Sequence, residues 1–185
     1  MRACLLVFAF AFLMPLASQG QDKIDNPFKN AKVGDYLAYK MTTTAKGKEF
    51  EMTVKQTVTE VNDKEVTLKT TSNFMGLELP GQTNKIDLTK PYDIAAMATQ
   101  GNAKGGKFEK TGEGKEKIKV GEKTYDCSWI SGKVTADVKG KQIESDIKVW
   151  QSKTVPLSGA VKMEAKSKLG DVKMELTEVG TAKKP

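Results

Sequence analysis

Two runs near the C-terminus constrain the fold most. Val161, Met163 and Ala165 alternate with Lys162, Glu164 and Lys166. Val172, Met174 and Leu176 then alternate with Lys173 and Glu175, and Gly170 lies between the runs. A period of two with opposite charges on the second face predicts antiparallel strands buried on one side. The same rhythm recurs upstream. Phe50, Met52, Val54 and Val58 alternate with Glu51, Thr53, Lys55 and Thr57, and Val66 and Leu68 continue the pattern after an Asn62–Lys64 turn. Tyr36–Thr44 reads as a first strand, Gly121–Lys123 as a short hairpin turn and Lys139–Lys141 as another.

These runs predict a mainly β protein. The expected form is a curved antiparallel sheet or half-barrel of about nine or ten strands in meander order, with one short helix. The helix is expected in "DLTKPYDIAAMA", beginning near Thr89 or Pro91. Pro80-Gly81 reads as a turn. Gly101–Lys119 has five glycines and few apolar residues, so it is expected to be a long mobile loop or a weakly paired hairpin.

The chain of 185 residues begins with Arg2, an apolar run from Cys4 to Leu13, then Pro15 and small residues. This is the three-part pattern of a secretory signal, and its apolar run is too short to span a bilayer as a helix. The expected organisation is a signal peptide over 1–20, an N-terminal arm over 21–35 packing through Phe28 and Val33, and a single β domain over 36–181. No later apolar run is long enough for an integral membrane segment. The expected location is therefore periplasmic or extracellular.

Arg2 is the only arginine among 30 basic residues, and there is no histidine. Beyond the leader the chain has 29 lysines and neither the usual phosphate and guanine fork nor the usual general base. No zinc set can be built from Cys127 alone, no histidine-based triad is possible, and the calcium-loop pattern is absent. "GGKFEKTGEGK" fails as a phosphate loop because Glu116 follows Lys115. Glu109 and Glu113 have no setting that would separate their pKa values. These readings predict no catalytic residue, no metal, no cofactor and no nucleic-acid partner. Cys127, the odd cysteine after the leader, is expected to be a buried thiol.

The order of "IESDIKVWQSKTVPLSGAVKMEAKSKLGDVKMELTEVG" resembles the final strands of the periplasmic lipoprotein-carrier superfamily. There, a strand ending in Trp is followed by a proline turn and a hairpin. "NPFKNAKVGDYLAYKM" is similar to the first strand of small bacterial secreted proteins. The resemblance implies a curved sheet with an apolar concave side, which in the carrier holds acyl chains. The carrier's lid is latched by an arginine, and this chain offers none after Arg2. Trp150 and "VPLSG" are read as a structural corner.

The expected function is that of an exported non-enzymatic protein binding a lipid or other apolar small molecule. Phe50, Met52, Val54, Met163, Met174 and Leu176 are the candidate lining residues. The alternative is a surface, matrix or accessory protein that meets an acidic polymer or a partner through a lysine-rich face. Oligomeric state stays open. The leader makes the first prediction. N-terminal sequencing of the exported protein should begin near Gln21, and an intact Met1 on a membrane-bound form would refute processing.

Overall fold

The computed structural model describes residues 26–90, 104–138 and 141–181. Nine strands fill most of it: β1 (Asp35–Ala45), β2 (Lys48–Val61), β3 (Glu65–Phe74), β4 (Leu77–Asp87), β5 (Lys104–Val120), β6 (Lys123–Val138), β7 (Lys141–Gln151), β8 (Ala160–Ser167) and β9 (Gly170–Thr181). All pair antiparallel in one sheet ordered β4-β3-β2-β1-β9-β8-β7-β6-β5. The sheet is not closed into a barrel, since β4 and β5 remain its two edges. It nevertheless curls. β5 lies four strands from β9, about 19 Å away in a flat sheet, yet residues of the two come within 8 Å.

The expected meander is interrupted once. Strands β1–β4 and β5–β9 are each meanders, but they join through β1 and β9, from Asp35 opposite Thr181 to Thr44 opposite Asp171. Asp35 anchors this seam. Its carboxylate accepts from the Thr181 hydroxyl at 2.9 Å and from the Lys32 amide at 2.8 Å.

Before β1, Pro27–Asn30 forms a single 3-10 turn capped by Asn26, whose Oδ1 accepts from the Phe28 amide at 3.1 Å. The Asn26 amide also donates to the carbonyls of Asp87 and Lys90 at 3.2 and 3.3 Å, which ties the arm to the end of β4. Phe28 is buried as expected, but Val33 is 51% exposed and does not anchor the arm. Among the described residues no helix is long and apolar enough to cross a membrane. The expected helix after Thr89 and the leader fall outside the described residues.

Two expectations are overturned. Pro80-Gly81 is not a turn. It lies inside β4, where the register against β3 shifts between Thr70 and Ser72. Proline is tolerated there because an edge strand at a bulge needs no donor from it. The turn is instead Met75-Gly76, with φ of 51° and 84° at the two central residues, the backbone of a tight hairpin.

Nor is the described part of Gly101–Lys119 a mobile loop; it is one arm of a fully paired hairpin. From Lys104 onward it is the edge strand β5, paired with β6 along its length. Few apolar residues are needed because aromatics lie across its partner's glycines and its own. Trp129 of β6 lies over Gly114, where a Cβ would come within 2.8 Å of the ring. The Phe108 ring of β5 covers Gly132 of β6 in the same way. The two rings supply the packing that the glycines lack.

This pairing gives the second prediction. A methyl at Gly132 would meet the Phe108 ring and the Glu109 carbonyl. Gly132→Ala should therefore cost about 1–3 kcal/mol by overpacking, read from urea midpoints. A neutral result would mean that β5 does not lie against β6.

Candidate functional site

Directly opposed residues of an antiparallel pair share a face, so the register assembles the candidates. Phe74, Met52, Met41, Met174, Met163 and Val149 form one cross-strand row through β3, β2, β1, β9, β8 and β7. Four of the chain's eight methionines are thus consecutive in a single row. Leu77 of β4 extends it to the sheet edge opposite Phe74.

Burial changes along the row. Met163 is 3% exposed, and Met41 is buried. Met174 is half-buried and packs against the core. Met52 is half-buried, and Leu77 is 70% exposed. One row further along each strand, Val54 stands opposite Tyr39, and Tyr39 opposite Leu176. Tyr39 is buried, its hydroxyl donating to the Ala160 carbonyl at 3.2 Å with the Ser158 hydroxyl at 3.3 Å, and burial pushes its phenol pKa up.

The six sequence candidates therefore divide. Met163 and Leu176 are core, and Met174 joins them from the side. Phe50, Met52 and Val54 share a face of β2 that is incompletely covered, with Phe50 40% exposed and its ring 6.4 Å from Phe74. Met41 and Phe74 were not among the candidates. The alternation of Leu37, Tyr39 and Met41 places Met41 on an apolar face, but only the β1–β9 register makes it the centre of the row.

The opposite face is polar over β1, β2, β8 and β9. There Lys40 pairs with Glu51 at 2.5 Å, Lys162 with Glu164 at 2.7 Å and Lys173 with Glu175 at 2.9 Å. Such surface pairs, of which Lys162–Glu164 is the most covered, each contribute about 0–1 kcal/mol. Toward β6 and β7 this face carries Trp129 opposite Trp150. The Lys148 ammonium lies 4.2 Å from the first ring centroid and 4.4 Å from the second. Glu116 accepts from the Trp150 indole at 2.7 Å and from Lys148 at 3.4 Å. The indole hydrogen bond, with the lysine charge behind it, holds the Glu116 carboxyl below its ordinary pKa.

Trp150 is buried, as are Val155, Leu157, Ser158 and Gly159 of the following turn. The Ser152 amide closes that turn on the Gly159 carbonyl at 2.8 Å. The segment is a structural corner. Cys127 is a free, buried thiol whose pKa burial pushes up.

Beside Lys148 and Glu164 lies a shallow cleft of about 170 Å³, lined also by Thr111, Ser131 and Asp146. Small-molecule sites begin at about 300 Å³, so this cleft is too small to match one. Among the described residues no group of His, Cys, Asp and Glu could hold a metal ion.

No protein-family model matches the chain, and no curated protein matches it in sequence. Solved structures do share the fold. A protein from Bacteroides fragilis, described as exported and of YmcC-like fold, superposes with a TM-score of 0.56 at 12% identity, over 83% of this chain and 99% of that one. A protein from Parabacteroides distasonis, described as a lipoprotein, superposes with a TM-score of 0.53 at 16% identity, over 86% of this chain and all of that one. At these identities the likeness is one of fold.

The Glu116 contact gives the third prediction. A depressed carboxylate pKa stabilises the fold above the unfolded value of about 4.3. That contribution should be lost as pH falls through the lower folded value. The stability difference between wild type and Glu116→Gln should therefore be level near neutrality and shrink on acidification. A difference independent of pH would show that the charge on Glu116 is irrelevant.

Proposed function

We propose that the protein is an exported, non-enzymatic binding protein that takes an apolar ligand, such as a lipid acyl chain, on the apolar face of β1–β4. One observation carries this reading. The methionine row is buried at Met163 and Met41 but open at Met52, and Phe50, Val54 and Phe74 flank the open part on the same face. A soluble sheet ordinarily covers such a surface or makes it polar. Methionine suits a surface that must fit flexible chains, being unbranched and polarisable. The leader supports export, and the fold is shared with one protein described as exported and another described as a lipoprotein.

A second reading has one observation in its favour. Six of the seventeen residues of the edge strand β5 are lysines, which suits contact with an acidic polymer. Such binding would fall steeply with salt and would not depend on Met52.

The fourth prediction separates the two. Solvent extraction of the natively purified protein, followed by mass spectrometry, should recover a lipid. Met52→Asp should abolish it while changing stability by no more than about 1 kcal/mol, because the site is half-open. Met163→Asp should instead unfold the domain, at a cost of about 3–5 kcal/mol for an unpaired buried charge. A lipid-free wild type that also takes up no fluorescent fatty acid would sink the reading.

A further inference from the structure

One end of the sheet combines features that neither packing nor the apolar face explains. β1, β3 and β8 all run toward it, so the β1–β2, β3–β4 and β8–β9 turns lie side by side there. The strands that carry them are six neighbours in the sheet, a front about 24 Å wide. The six turn residues are Lys46, Gly47, Met75, Gly76, Lys168 and Leu169, with no acid among them. The nearest acids, Glu49, Glu78 and Asp171, sit behind them on the strands.

Met75 is 77% exposed, Leu77 70% and Leu169 61%, with Phe50 just behind. Met75 is doubly disfavoured. It holds φ at 51°, where Asn, Asp or Gly is the ordinary choice, and it presents a thioether to water. A polar residue would serve the turn better.

We propose that this end of the sheet docks on a lipid surface bearing anionic headgroups, with Met75, Leu77 and Leu169 entering the interface and Lys46 and Lys168 meeting the headgroups. Apolar tips interleaved with cations match the two layers of such an interface. A second copy of the chain is the poorer occupant, because a face-to-face pair would bring Lys46 and Lys168 against their equivalents. The inference does not rest on the apolar-ligand reading, since it is carried by the three turns, and of the three entering side chains only Leu77 also borders the face behind them.

The test uses the protein recovered after export, with its N-terminus sequenced, since an uncleaved leader would itself enter vesicles. Co-sedimentation is compared on phosphatidylcholine vesicles with and without phosphatidylglycerol. Binding should be about tenfold stronger to the anionic vesicles and weaken with salt. Met75→Ser with Leu77→Ser and Leu169→Ser should lose it without shifting thermal unfolding, because these side chains are exposed. Lys46→Gln with Lys168→Gln should remove the preference for anionic vesicles. Lys115→Gln with Lys119→Gln, toward the other end of the sheet, should leave binding intact at the same net charge. Equal binding to both vesicle types would overturn the proposal. So would equal losses from the two lysine pairs, which would mean diffuse attraction. Turn variants that altered only self-association would place a second copy at this end.

Discussion

The pairing of β1 with β9 holds the rest together. Its ten residue pairs join strands some 140 residues apart in sequence, as the Thr177 hydroxyl on the Ala38 carbonyl illustrates at 3.1 Å. Without it the chain is two separate meanders, each with an additional open edge and half a core. Closing so long a loop costs entropy before any contact forms. The hairpins must therefore be stable enough locally to wait for the seam. Tight turns such as Lys46-Gly47 and Met75-Gly76 serve this, since both central residues already hold the positive φ that matches strand twist.

With the seam formed, the open edges are β4 and β5, and each is guarded differently. β4 carries Pro80 and a bulge, which interrupt the row of donors a foreign strand would need. β5 is longer and relies on lysines, whose mutual repulsion opposes pairing with another copy. The lysine-rich composition thus has a structural use at this edge. The polar face has another, where Lys148 fills the space between Trp129 and Trp150 and neutralises Glu116.

Much of this was legible. The alternation of β8 and β9 was read residue by residue, because period two with charges opposite leaves no other reading. β1–β3, their Asn62–Lys64 turn and the Gly121 turn were equally plain. The failures have specific causes. β5 hides its strand character because its packing comes from Trp129 and Phe108 lying over glycines, and glycine ordinarily signals a loop. Pro80-Gly81 outweighed Met75-Gly76 as a turn because a methionine at positive φ is not a turn signal. The seam was illegible because nothing in β1 or β9 alone names its partner. For that reason the methionines could be assigned to a face but not to a row. Three of the six candidates prove to be largely or wholly covered through the same gap, since burial depends on which strands lie alongside.

The order of strands also explains why the apolar row opens where it does. Met163 and Met174 lie on central strands, with the core of the β5–β9 half beside them. Met52 and Phe74 lie toward the β4 edge, where fewer strands remain to curl over them. The row ends at Leu77, which immediately follows the Met75-Gly76 turn. The open part of the apolar face and the exposed turn are thus one continuous strip, from Met52 through Phe74 to Leu77. A chain entering at the turn would find apolar side chains at every strand spacing of about 4.8 Å until it met the buried methionines. The two proposed surfaces are adjacent in the sheet: Leu77 and Phe50 border both, so substitutions there would act on the proposed docking and the proposed uptake together, whereas Leu169 belongs to the turn alone and Val54 to the face alone.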